Sequence, residues 1–333
     1  MTRTQIPAVL RQRRSILLLA GFVVVVAIGI IIDRVGANLP SLLKLATFAM
    51  TPYLLMTVGM CLNQKAGLIN IGMEGTLLLS ALFSAFAADY VGSTWGGVLI
   101  GMAAGALMGL IFGLVSTQLK ADQIIVGLGI IFFAAGLAPF LLRAWSLPGL
   151  FKIPDQFRLP TISTPIGHIP VLLFVAIAIA VLAHLLLHRT LLGIKIKITG
   201  ERPEAADVAG VRVNRIRISM SMIQGTLGGL AGAFLVLGWF GSVTNLVSGG
   251  RGFIALAITI FAVQEPLMAL FGSFLFGFFE GFAHWAAQSP FMKTYLPPEL
   301  SQSIPFIIPI IILALLPRRA SGPSAMARPY IRE

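Results

Sequence analysis

The sequence predicts an all-α polytopic membrane protein of about ten transmembrane helices with both termini in the cytoplasm, and three observations carry that prediction. Hydrophobic residues make up 57% of the 333 positions and charged ones only 11%, against roughly 45–50% apolar, glycine included, and 25% charged in an ordinary globular chain. The mean hydropathy is +0.93. Apolar runs of membrane-crossing length recur along the chain, with basic residues gathered in alternate gaps between them. The same composition excludes a disordered chain, and a single cysteine, Cys61, excludes a disulfide scaffold. A net charge of +12 and a pI near 10.7 would point to nucleic acid in a soluble domain, but here most basic residues flank apolar runs and read as topology.

Each crossing requires about 20 mostly apolar residues. The first run, 15–32, follows Arg11, Arg13 and Arg14 and so has the layout of a signal peptide; it exceeds the usual h-region of about 7–15 residues and no clear small-residue cleavage site follows, so it reads as a retained helix. The others are 39–62, 67–88, 94–116, 123–142, 170–187, 218–240, 252–263, 266–284 and 304–316. The eighth and the last are too short to cross straight. With ten spans and the N-terminus inside, 17 of the Lys and Arg residues fall on the inner side and 7 on the outer, which places both ends in the cytoplasm. The chain is then one transmembrane domain, 1–333, with a basic N-terminus at 1–14, an outer loop at 143–170, an inner loop at 189–217 and a cytoplasmic tail at 317–333.

The two long hydrophilic segments differ in character. The outer one carries Pro148, Pro154, Pro160, Pro165 and Pro170, which favour an irregular or extended cover over a long helix. The inner one contains Gly200-Glu201-Arg202-Pro203-Glu204-Ala205-Ala206-Asp207-Val208-Ala209-Gly210, where an early proline, acids in the first turn and a closing glycine mark a short helix of two or three turns. Taken alone, that is a solvated turn helix.

Within the spans, Gly101, Gly105, Gly109 and Gly113 share one helix face, and Gly225, Gly228, Gly229, Gly232, Gly277 and Gly281 repeat the device, so the bundle is tightly packed. Acids at membrane depth are costly and are functional candidates by default. Glu74 and Glu280 qualify, and with Asn70 they are the candidate residues of a polar path. Glu74, between Gly72 and Gly75, reads in two ways: lining a path at a broken helix, or accepting hydrogen bonds from an exposed helix end. Glu280 reads first as structural. His184, His188 and His284 sit at helix ends, read as capping or interface-reaching groups rather than metal ligands, and no metal-ligand spacing or nucleophile elbow occurs. No phosphate-cradling G-x-x-x-x-G-K motif occurs either. The chain therefore reads as a non-enzyme with no cofactor of its own, and any ATP and Mg would be bound by a partner.

The stretch Asn70-Ile71-Gly72-Met73-Glu74-Gly75 resembles the N-I-G-x-E-G signature of ABC importer permeases of the branched-chain amino acid and ribose type, closest to the nucleoside and simple-sugar subgroup. Leu119 to Leu128, Gly250 to Ala257, the G-E-x-P-x-A-A-like loop from Gly200 to Gly210, and Gly225 to Ala233 are similar to further signatures of that subgroup, in the same order from about Thr51 to Gly281. Arg202 stands where Asn is common, and Ala262 where Gly is frequent. The resemblance implies about ten helices per permease and a bacterial inner-membrane location. It also implies three partners: a cytoplasmic ABC ATPase, a second and paralogous permease, and an extracytoplasmic binding protein. It makes Glu201, Arg202, Pro203, Glu204, Ala205, Ala206, Asp207 and Gly210 the segment that couples to the ATPase, with Ala205 and Ala206 as the small face entering the partner's groove. The alternative is an ion-coupled carrier of a small polar solute, in which Glu74 and Glu280 relay protons.

Overall fold

The computed structural model describes residues 39–145, 150–164, 167–289, 297–315, 322–328 and 330. The predicted first run, 15–32, and the N-terminus, 1–14, lie outside the described residues. In chain order the helices are α1 (Leu39–Lys65), α2 (Met73–Val91), α3 (Thr94–Thr117), α4 (Gln123–Trp145), α5 (Val171–Arg189), α6 (Leu191–Glu201), α7 (Pro203–Val208), α8 (Val213–Ala233), α9 (Arg251–Phe261), α10 (Pro266–Gln288) and α11 (Pro298–Leu315). Six stretches among the described residues are long and apolar enough to cross a membrane: Pro40–Lys65, Thr94–Thr117, Gln123–Trp145, Val171–Arg189, Val213–Phe240 and Pro266–Gln288. Helices α2, α9 and α11 stand at the third, eighth and tenth predicted runs without meeting both criteria.

Several boundaries differ from the sequence reading, among them the start of α11, which lies at Pro298 where the run was expected from 304. The run expected from Gly67 becomes helical only at Met73, because Gly67 sits at φ +91° and the Asn70 side-chain oxygen accepts the Gly72 N–H at 2.8 Å, closing a turn that a helix cannot continue through. The span expected from Ile218 begins at Val213, with Arg217 buried near its start. Residues 189–217 hold two helices before α8 where one was expected: Thr190 caps α6 by accepting the Gly193 N–H at 3.1 Å, and Pro203 opens α7 at a position where its missing N–H costs nothing.

The described residues between α4 and α5 form short extended strands around one helical turn at Asp155–Phe157. Strand β1 (Leu150–Lys152) pairs antiparallel with the later β4 (Ser242–Thr244), Phe151 opposite Val243. Strands β2 (Thr161–Thr164) and β3 (Gly167–Pro170) form a second antiparallel pair, Ile162 opposite Ile169.

Helices α1 and α8 form the buried centre. Around them α3, α4 and α5 turn Leu99, Phe132, Phe140 and Leu182 outward, each more than 60% exposed, an arrangement stable in lipid and unstable in water. Helix α3 lies directly on α8: a Cβ on Gly105 would overlap the Gly225 carbonyl, and one on Gly109 the Ser221 carbonyl. The Ser221 hydroxyl donates to the Gly109 carbonyl at 2.7 Å across the same seam. Beyond Ala233, α8 continues in wider π-type turns over Phe234–Phe240 and ends at Gly241, φ +69°.

Candidate functional site

The segments that stand apart in sequence meet at one junction. Gly127 on α4 presses on the turn before α2, where an added Cβ would lie 2.6 Å from the Ile71 side chain and 3.0 Å from Gly72 N. The Gln123 side-chain oxygen accepts the Ile69 N–H at 2.7 Å, and Asp122 caps α4 through the N–H groups of Ile124 and Ile125. On the other side, Glu74 accepts the Gly250 N–H with Oε1 and the Gly252 N–H with Oε2, each at 2.7 Å. Its carboxylate therefore caps the N-terminus of α9, where unpaired N–H groups and the helix dipole favour a negative charge. Of the two readings of Glu74, this geometry is that of a hydrogen bond to an exposed helix end. Gly252 is glycine because a Cβ there would sit 2.5 Å from Glu74 N.

Glu280, on α10, holds the same loop from its side chain. Its Oε1 lies 2.5 Å from Arg251 Nη2, and His284, one turn on, reaches the same oxygen at 3.7 Å. The guanidinium also lies 5.3 Å from the Trp239 ring centre and 5.0 Å from that of Phe240, so a buried cation has an anion on one side and aromatic faces on the other. Thus Glu74 fixes the backbone of Gly250 to Gly252 and Glu280 fixes the side chain between them. Beside this pair a cavity of ≈ 290 Å³ opens between α1, α9, α10 and α11, lined among others by Tyr53, Ile254, Gln302 and Phe306. Asn70 does not reach the cavity wall; it is buried in its own turn.

Sequence reasoning missed Arg251, counting it as an outer-loop charge. The available signal was its Gly249-Gly250-Arg251-Gly252 setting, which brings a cation to a helix N-terminus where it is unfavourable without an acid.

The segment 201–210 lies away from this junction but is joined to it. A side chain on Gly200 would overlap the Lys65 carbonyl and approach Gly67 N to 3.0 Å, so the elbow between α6 and α7 rests on the turn that leads to Glu74. Arg217, 1% exposed, donates to the Ala66 carbonyl at 3.2 Å and to the Arg328 carbonyl at 3.0 Å. The chain end crosses the same elbow: Ala325 N–H donates to Gly200, Ala327 N–H to Gly67, the Ser324 hydroxyl to the Glu201 carbonyl, and the Tyr330 hydroxyl to Asp207 at 2.9 Å. On α7, Pro203 and Ala206 are buried within the chain, whereas Glu201, Arg202, Glu204, Ala205 and Gly210 are exposed and Val208 is 92% exposed. Of the expected small face, Ala205 is outward but Ala206 is turned inward by packing against its own chain, and Val208 is outward beside Ala205.

Comparison with known proteins agrees with this architecture. The family model described as branched-chain amino acid transport system / permease component matches residues 41–313. The nucleoside ABC transporter permease protein NupC of Lactococcus lactis is 31% identical over 302 residues, covering 85% of this chain and 94% of that protein. The guanosine ABC transporter permease protein NupQ of Bacillus subtilis is 32% identical over 299 residues, covering 84% and 93%. Among solved structures, an ABC transporter in an inward-facing conformation superposes with a TM-score of 0.51 at 16% identity, covering 91% of this chain and all of that one, a likeness of fold alone. With a match running from α1 into α11 and a fold of packed apolar helices, the chain is a multi-pass membrane protein that belongs to the permease-component family named for branched-chain amino acid transport systems.

Proposed function

We propose that this chain is the permease subunit of an ATP-driven ABC importer that moves a nucleoside or simple sugar across a bacterial inner membrane. The substrate class follows the nucleoside and guanosine permeases NupC and NupQ and fits a cavity offering a carboxylate, a guanidinium, an imidazole, a phenol and the Phe306 ring. Both termini are cytoplasmic, as the excess of Lys and Arg in the gaps on the N-terminal side favours, with or without Arg251 in the count. A cytoplasmic ATPase binds ATP and Mg, a paralogous permease completes the path, and an extracytoplasmic protein delivers substrate. Glu280 and Arg251 border the path; Glu74 and Asn70 hold the backbone that shapes it.

The observation that carries coupling is the elbow. Helix α7 projects Ala205 and Val208 outward, while Gly200, at the end of α6 just before it, rests on the Gly67 turn that leads into Glu74. A push on α7 therefore bears on the Gly67 turn, which continues through Asn70 and Gly72 to Glu74.

Val208→Asp tests this directly. Because Val208 is exposed, the substitution leaves the permease fold and its Tm unchanged, while a charge placed at a docking centre weakens the ATPase by about 2 kcal/mol or more, roughly 30-fold. The measurement is co-purification of the ATPase with the mutated permease, alongside Ala205→Trp. Wild-type co-purification by both variants would remove α7 from the interface and move docking to residues 118–122 or 262–265. Ala206→Trp is unsuited to the purpose, since it disrupts the chain's own packing.

A further inference from the structure

The cluster formed by His184, His188 and Glu265 lies apart from the junction. The two histidines are one turn apart near the C-terminal end of α5, with rings stacked at 4.2 Å. Glu265 arrives from the residue before α10. It does not cap that helix with its side chain but points to the histidines: Oε2 lies 3.4 Å from His188 Nε2 and 4.0 Å from His184 Nδ1. The three nearest ligand atoms all fall within 4.8 Å of one another.

The hydrogen bonding of His188 makes this arrangement specific. Its Nδ1 lies 3.0 Å from the His184 carbonyl, and a carbonyl only accepts, so Nδ1 carries the proton. In the neutral ring, Nε2 then presents a lone pair toward a carboxylate oxygen, and two acceptors face each other. His184 Nδ1, buried and aimed at the same oxygen, has no hydrogen-bond partner among the described residues. A cation between the three atoms resolves both conflicts. Donating the second ring nitrogen to a backbone carbonyl is also how metal-ligating histidines are held in tautomer and orientation. Lys65 Nζ, 3.4 Å from Oε1, anchors the carboxylate by its other oxygen and leaves Oε2 facing the histidines.

We infer that His184, His188 and Glu265 form a binding site for a zinc-class divalent cation, which ties the end of α5 to the turn preceding α10. Two imidazoles and one carboxylate are the ligand chemistry of zinc sites with an open fourth position. Tetrahedral bonds of about 2.1 Å place ligand atoms about 3.4 Å apart; the His188–Glu265 distance already meets this, the His184–Glu265 contact at 4.0 Å must shorten, and the two histidine nitrogens lie within 4.8 Å of each other, so rotation of the His184 ring completes the site. The spacing was invisible in sequence because Glu265 lies far from the histidine pair.

The test is titration of the full-length permease, purified without a histidine tag in its native complex, with Co²⁺ as the probe. Wild-type protein is expected to bind one Co²⁺ saturably, to develop the visible d–d absorption of a four-coordinate nitrogen–oxygen site, and to lose it on addition of stoichiometric Zn²⁺. His184→Gln and His188→Gln, at positions about one-third exposed, should each weaken binding at least tenfold while keeping the wild-type Tm in chelator. Equal Co²⁺ affinity in wild type and both variants, or wild-type binding without the d–d band, would overturn the site and leave a His188 imidazolium paired with Glu265. The wild-type spectrum decides the matter even where a variant fails to fold.

Discussion

Arg251→Met is expected to abolish uptake and to destabilise the chain by about 3–5 kcal/mol, because it strands the buried Glu280 carboxylate without its cation. The side chains of Arg251 and Glu280 are 11% and 5% exposed, and their closest atoms are 2.5 Å apart. The double variant Arg251→Met, Glu280→Gln removes both charges and should recover most of the Tm lost by the single variant. Uptake should stay lost in the double variant, since both charged groups of the cavity wall are gone. Thermal unfolding in detergent measures the first effect and radiolabelled nucleoside uptake by cells the second. A single variant with wild-type Tm would show that the pair is solvated, and a double variant with wild-type uptake would remove the cavity from the path.

Gly105→Val and Gly225→Val should leave no folded protein at all. Each adds atoms where helix backbones touch: the Cβ of either would overlap the other's carbonyl oxygen. Overpacking a core costs typically about 1–3 kcal/mol when side chains can yield, but here the obstacle is backbone and the helices must separate, taking the Ser221–Gly109 hydrogen bond with them. Gly136→Val is the control, because nothing lies within 4 Å of a Cβ there and valine is the better helix former. Size-exclusion profiles of detergent extracts distinguish the cases. A monodisperse Gly105→Val peak at wild-type yield would mean that α3 and α8 are not in contact.

The long helices were legible because hydrophobic length is a property of the run itself and needs no partner. Six described stretches satisfy it, and their ends fall within about five residues of the predicted ones; the third run, outside those six, starts late because of the turn at Gly67. Helix α6 escaped notice because Ile194-Lys195-Ile196-Lys197-Ile198 alternates instead of following a 3.6-residue period. The acids Glu74 and Glu280 were legible from the cost of burying charge, but their shared task was not. Both hold Gly250 to Gly252, which lies 176 residues along the chain from Glu74, and only the packing of α2 and α10 against α9 brings them together. The inward turn of Ala206 was hidden for the same reason: on a six-residue helix the buried face is chosen by neighbours, with too few turns to show a pattern.

The central claim is that ATP hydrolysis by a partner, and no ion gradient, drives solute through this chain. The direct measurement is radiolabelled guanosine uptake into proteoliposomes holding this permease, its paralogous partner and the ATPase, with binding protein on the uptake side. Uptake is expected only with ATP on the ATPase side, undiminished when ionophores collapse proton and sodium gradients. Uptake by this chain alone, driven by an imposed proton gradient without ATP, would contradict that claim and make Glu74 and Glu280 the relay of an ion-coupled carrier.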